Sequence, residues 1–245
     1  MPARWAYEAL AVEQYRSNKY EKNFFDYDSE ISQNNWYSAF LAVALRRDIR
    51  ECLHLGDSSE YSGQVSNNLD RLERYFYRLS KLAEFDPPPA ELISLLSPEK
   101  FNPAVAEQAE NFLDSLAGHF KAVRIANVLK KDSATSALVA LMGKEAFIEL
   151  KDNNTNRRLR EIVLDEFGEH KIVEARGRYI QKYEPVYMKP VSSYGRAHFY
   201  APYKKTGNAE IGTLWFNLIV LWLASLLLYA ALYLRLLKKA VNPVS

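Results

Sequence analysis

The stretch IGTLWFNLIVLWLASLLLYAALYL, residues 211–234, decides the architecture of this chain. It holds 24 residues without a charge, bounded by Glu210 and Arg235. As a helix rising about 1.5 Å per residue it reaches roughly 36 Å, enough to cross a hydrocarbon core of about 30 Å with some tilt. Apolar residues cover its whole circumference, so it lacks the polar face that a surface helix turns to water. Trp215, Trp222, Tyr229 and Tyr233 place rings towards both ends, where indole and phenol suit the headgroup level. The 210 residues before it are mostly polar and too few to wrap it on every side, which argues against a buried helix of a soluble protein. The expectation is a membrane helix at residues 211–234 and a short tail at 235–245.

A chain of 245 residues has room for one or two domains besides that helix. The formal net charge is +2, but Arg235, Lys238 and Lys239 follow the apolar run, so residues 1–210 sum to −1. That balance argues against a nucleic-acid surface, which needs a clustered positive field, and no nucleic-acid partner is expected. Cys52 is the single cysteine, which rules out an internal disulfide and a cysteine-based zinc site. Arg4, Glu8 and Glu13 interrupt the N-terminus before a long apolar run develops, so no signal peptide is expected. Arg196, Lys204 and Lys205 precede the apolar run and three basic residues follow it more closely. Counted by the positive-inside rule, these charges lean towards a cytoplasmic C-terminus.

Residues 1–25 open with a short apolar patch around Trp5, Tyr7, Leu10 and Val12, too short to span a bilayer but suited to a re-entrant or interfacial segment. An ordinary amphipathic helix packed on the following domain fits the same residues. Residues 28–53 read as a helix with Asp28 or Ser29 as its cap, and the ten-residue, largely apolar run 36–45 forms its buried centre. Residues 56–63 carry the composition of a turn. Val65, Leu69, Leu72, Phe76 and Leu79 then recur at steps of four and three, with Asp70, Arg71, Glu73 and Arg74 on the other face. After the break at Pro87-Pro88-Pro89, a second long helix begins at Asn102-Pro103 and carries Val105, Ala109, Phe112, Leu116, Phe120 and Val123 on one stripe. The two stripes predict an antiparallel helical hairpin. Further helices are expected over about 133–150 and 156–167. Residues 168–210 are rich in Tyr and Pro without a helical period, which predicts an irregular, extended connector.

Two parts of the chain resemble one family. Arg4-Trp5-Ala6-Tyr7-Glu8-Ala9-Leu10, followed by Tyr15, looks like the segment after the fifth membrane helix of ABC-2 type exporters, the G-subfamily (White-type) half-transporters and their bacterial fusion counterparts. Leu214-Trp215-Phe216-Asn217, the long apolar helix and Tyr233-Leu234-Arg235-Leu236-Leu237-Lys238-Lys239 resemble the last membrane helix of that family. Arg196-Ala197-His198-Phe199-Tyr200-Ala201-Pro202-Tyr203-Lys204 looks like the large Bacteroidetes-type versions. Animal members brace this loop with disulfides, which a single Cys52 cannot supply.

The resemblance implies a mainly α chain. Residues 1–25 would be a re-entrant segment and 26–167 a helical extracytoplasmic domain. Residues 168–210 would be the connector, 211–234 the last transmembrane helix and 235–245 a cytoplasmic tail, all in the inner (cell) membrane. It implies the permease portion of an ATP-driven exporter, a homo- or heterodimer in the lipid membrane. ATP and Mg would be held by a nucleotide-binding domain elsewhere. Arg4, Glu8 and Asn217 are the polar groups to watch, because a polar side chain at membrane depth faces protein or a cavity. A tail-anchored cytosolic helical adaptor is the competing expectation.

No catalytic constellation, cofactor site or metal site is expected in the chain itself. Gly143-Lys144 is its sole Gly-Lys pair, with Leu138 and Glu145 where a phosphate loop needs Gly and Ser or Thr. His54, His119, His170 and His198 are scattered and form no HExxH pair. No G-x-S-x-G elbow occurs. His198, in its Tyr-rich setting, reads as a packed or hydrogen-bonding histidine.

Overall fold

The computed structural model describes residues 2–56, 61–82 and 85–234. The expected tail at 235–245 and the centre of the turn at 56–63 lie outside the described residues. The chain is mainly helical. In order it forms α1 (Pro2–Arg16), α2 (Phe25–Asn35), a π-helical turn (Trp36–Leu41), α3 (Ala42–Leu55), α4 (Ser62–Leu79), α5 (Ala90–Leu95) and α6 (Pro103–Met142). There follow α7 (Lys144–Asn154), α8 (Arg157–Val163), β1 (Ile172–Ala175), β2 (Arg178–Gln181), β3 (Tyr203–Thr206), β4 (Ala209–Gly212) and α9 (Thr213–Tyr233). Two compact units emerge, and the chain passes between them more than once. One comprises Met1–Phe25, Gly143–Phe167 and Glu184–Ser245; the other comprises Asp26–Met142 and Gly168–Tyr183.

In the helical unit the two sequence stripes are buried. Leu69, Leu72, Phe76 and Leu79 on α4 and Val105, Ala109, Leu116 and Phe120 on α6 belong to one core. The expected two-helix hairpin is corrected by what lies between them. The backbone of α3 packs closely on both α4 and α6, whereas α4 and α6 have little direct backbone contact. Side chains bridge that gap, as with the Phe76 and Phe112 rings 5.0 Å apart. The π-turn and α3 together supply Leu41, Ala44, Leu45, Ile49 and Cys52, the apolar half of a segment whose neighbours the sequence does not show.

Some boundaries differ from the sequence expectation, for local reasons. The helix at 28–53 starts earlier, at Phe25, so Asp28 is no cap but pairs with Lys131 at 2.5 Å. It also carries the π-turn Trp36–Leu41, which accommodates one extra residue and buries both Trp36 and Leu41. α6 runs unbroken for 40 residues to Met142, past the expected start of a new helix at 133. Nothing between Val123 and Ser133 breaks it; Gly143 does, at φ 87°. Its start is as expected: the amides of Ala104 and Val105 donate to Asn102 Oδ1 at 2.9 and 3.1 Å.

The irregular connector is likewise corrected. Residues 168–212 contain two antiparallel hairpins, β1 with β2 and β3 with β4, so Ile211 and Gly212 end a strand and the apolar helix expected from 211 begins at Thr213. Arg176 and Gly177, both at positive φ, close the first, and Gly207 at φ 59° with Asn208 closes the second. These are the two-residue turns whose twist matches paired strands. β1 and β2 belong with the helical unit, β3 and β4 with the other.

In the second unit α1 packs along α9 and also against α8. Ala11, Tyr15, Phe25, Val163, Leu164, Val186 and Tyr187 form its core. α9 is long and apolar enough to cross a membrane, and only 6% of its most hydrophobic window is buried. Trp222, Leu226, Leu227, Leu228, Tyr229 and Leu232 are all more than half exposed. Such a continuous apolar surface is stable in lipid rather than in water.

Candidate functional site

α1 offers Glu8 on the face that turns inward with Ala9, Ala11, Val12 and Tyr15. Asn217 sits one turn into α9 and is fully buried. Between them comes Lys204 from β3, whose side chain alternates inward while Tyr203 and Lys205 stay partly exposed. Lys204 Nζ donates to Glu8 Oε2 at 2.9 Å and to Asn217 Oδ1 at 3.0 Å. Asn217 Nδ2 donates to Glu8 Oε2 at 3.0 Å and to the Trp5 carbonyl at 2.9 Å. The ammonium also faces the Trp5 ring at 4.4 Å and the Phe216 ring at 5.4 Å. Salt-bridge, amide and ring contacts therefore surround one cation that is only 3% exposed.

The surroundings fix this geometry. Gly195, at φ 71°, lies against Phe216: a Cβ there would stand 2.7 Å from its ring. Thr213 Oγ1 donates to the Ala201 carbonyl at 2.5 Å and ties the start of α9 to the turn before β3. His198 Nε2 lies 2.8 Å from the Pro185 carbonyl, and since a carbonyl only accepts, Nε2 carries the proton. Burial pushes the His198 imidazole below its ordinary range, so it stays neutral near pH 7. Burial, helped by a hydrogen bond with Tyr7, pushes the Tyr200 hydroxyl up to about 12.

Of the three polar groups expected from sequence, Glu8 and Asn217 meet and Arg4 stands apart. The Arg4 side chain is exposed at the surface of α1, and its guanidinium lies 5.1 Å over the Phe199 ring. Four residues separate Arg4 and Glu8, the spacing of a helical ion pair, yet the fold gives Glu8 to Lys204. In the sequence Lys204 reads only as a charge bearing on topology. The hairpin turn at Gly207-Asn208 is the signal that places it on a strand with an inward face.

The helical unit has its own buried polar centre. Arg71, 2% exposed, donates from Nε to Asp48 Oδ2 at 2.7 Å and from Nη2 to Asp48 Oδ1 at 3.0 Å. It also donates to Asn68 Oδ1 at 2.7 Å and pairs with Glu174. The Tyr179 hydroxyl donates to Asp48 Oδ1 at 2.5 Å, and its ring lies 4.8 Å from the Arg71 guanidinium. Tyr75 Oη in turn donates to the Tyr179 carbonyl at 2.9 Å. Burial and the bond to Asp48 push the Tyr179 hydroxyl well up. For Arg71, burial pulls down and the Asp48 bond outweighs it, so its pKa rises.

Among the described residues no group of three or more His, Cys, Asp or Glu side chains is placed to hold a metal ion. In comparisons with protein-family models, curated proteins and solved structures, nothing matches this chain. The fold by itself defines a mainly helical protein with, among the described residues, one helix suited to crossing a membrane.

Proposed function

We propose that this chain is the permease end of an ATP-driven ABC-2 type exporter, supplying the last membrane helix and a helical domain over the outer exit. The observation that carries the reading is the Glu8–Lys204–Asn217 lock. It fastens α1, the hairpin before α9 and α9 itself into one unit, and α1 and α9 are the two segments that resemble this family. Tilting of the membrane helices by a partner nucleotide-binding domain would thus carry α1 and α9 together. ATP and Mg belong to that domain in this reading, and the work of this chain is mechanical.

A topology experiment tests it. In a Cys52→Ala background, Gly63→Cys adds a thiol where a Cβ meets open space. In the unsubstituted chain Cys52 is a poor target and serves as the low-labelling reference: it is 3% exposed, and burial with the nearby Asp48 and Glu51 charges pushes its thiol up to about 12. A membrane-impermeant thiol reagent added to intact cells, or to cells with an opened outer membrane, is expected to label the introduced thiol when the chain is expressed with all transporter domains. Labelling seen only after the inner membrane is broken puts the domain in the cytosol and selects the tail-anchored adaptor instead.

A further inference from the structure

A cleft of about 730 Å³ opens in the helical unit, above the buried Arg71. One wall is a face of α3 with Arg47, Arg50, Glu51 and His54, the other a face of α4 with Gln64 and Asn67; Asn68, Arg71 and Glu174 line it as well. Its hydrogen-bonding capacity is lopsided. Its carboxylates already have partners: Glu51 Oε1 takes Gln64 at 2.6 Å, Glu51 Oε2 takes Asn68 at 3.0 Å, and one oxygen of Glu174 takes Arg71. Among the described residues the donors are largely open. Arg50 uses Nε on Glu110 at 2.9 Å, which leaves both terminal nitrogens for another partner. Arg47 uses one Nη2 contact, to the Tyr179 hydroxyl at 3.2 Å. His54 and Asn67 add an imidazole and an amide to the exposed lining.

We infer that this cleft is a binding site for small, multiply charged oxyanions of the phosphate or carboxylate class, gripped by Arg47 and Arg50 with His54 and Asn67 beside them. The positions 47, 50 and 54 fall on one face of α3 and line the same wall of the cleft. Guanidinium is the side chain best matched to planar or tetrahedral oxyanions, two bonds at a time. The network below makes the floor rigid: Arg71 is held by Asp48, Asn68 and Glu174 and cannot collapse into the cleft. The engaged carboxylates keep local charge near balance, which favours a ligand read by directional bonds over non-specific attraction.

Thermal unfolding of the full chain in detergent, at fixed ionic strength, tests this with three probes: inorganic phosphate, citrate and a short-chain phosphatidic acid. A ligand that binds only the folded state raises the melting temperature with its concentration. A saturating rise with phosphate or citrate is expected and assigns a free solute; a rise with phosphatidic acid alone assigns a lipid headgroup and keeps the oxyanion chemistry. Arg50→Gln/His54→Gln, which leaves the floor untouched, is expected to weaken binding about tenfold or more. Arg47→Gln is expected to act in the same direction. Arg46→Gln is the control: it removes an equal charge from α3, from a residue paired with Asp114 outside the cleft. Equal weakening by Arg46→Gln, or a response to all three probes no larger than to matched chloride, overturns the site.

Discussion

The cluster around Lys204 and the cluster around Arg71 both bury an ion pair, yet they hold their charges differently. Lys204 presents a compact ammonium to one carboxylate oxygen, one amide and two rings. Arg71 spreads its charge over a planar fork that meets both oxygens of Asp48, an amide, Glu174 and the face of Tyr179. Arginine keeps its proton in any environment, whereas a lysine can give up its proton when its partner is lost. The Arg71 cluster therefore behaves as a fixed cornerstone of the core. The Lys204 cluster is a pin through three separate segments, with fewer bonds at stake.

Breaking each centre should rank them. Asp48→Ala takes the fully buried carboxylate from a guanidinium that cannot neutralise and is expected to cost about 3–5 kcal/mol, read from urea unfolding of the chain in detergent. A cost within the few tenths typical of surface sites would show that Arg71 is not bound as described. Glu8→Ala is expected to cost less, about 1.5–3 kcal/mol. The double variant Glu8→Met/Lys204→Met should recover much of that loss, because removing both charges leaves none unpaired. A double-mutant cycle with no coupling between Glu8 and Lys204 would remove the pin and the mechanical argument built on it.

Two smaller effects sharpen the contrast through pH. Tyr179→Phe removes the hydroxyl donor to Asp48 and is expected to cost about 1–1.5 kcal/mol at neutral pH. Because the folded state raises the Tyr179 pKa, its unfolded form ionises first. The stability this group contributes is complete below about pH 10 and declines above it, and the Phe variant should show a shallower alkaline decline. His198 is the opposite case, with its folded pKa lowered by burial. Its contribution is complete above the unfolded value of about 6.5 and is lost as pH falls towards the folded one. His198→Gln, which keeps an amide donor for Pro185, is expected to flatten the melting-temperature slope between about pH 6.5 and 5. An unchanged slope would mean that His198 is not held as a neutral donor.

What the sequence by itself determined is what repeats or accumulates locally. The uncharged run at 211–234 needs no distant residue to be read as membrane-length, since hydrophobicity and helical rise are properties of the segment alone. The stripes of α4 and α6 are legible because the 3.6-residue period writes the buried face into the spacing, and Asn102-Pro103 announces a helix start by its own cap chemistry. Glu8 and Asn217 stand out as polar groups in apolar company. Tertiary structure alone decided their partner: Lys204 is 196 residues from Glu8, and Arg4 is the nearer cation along the chain. It likewise set α3 between the two stripes, because amphipathic helices declare a buried face but not the neighbour that covers it. It also decided that residues 168–210 hold strands. Hairpins of four-residue strands are marginal by themselves, and these form where side chains such as Tyr179 and Lys204 have a buried network to join.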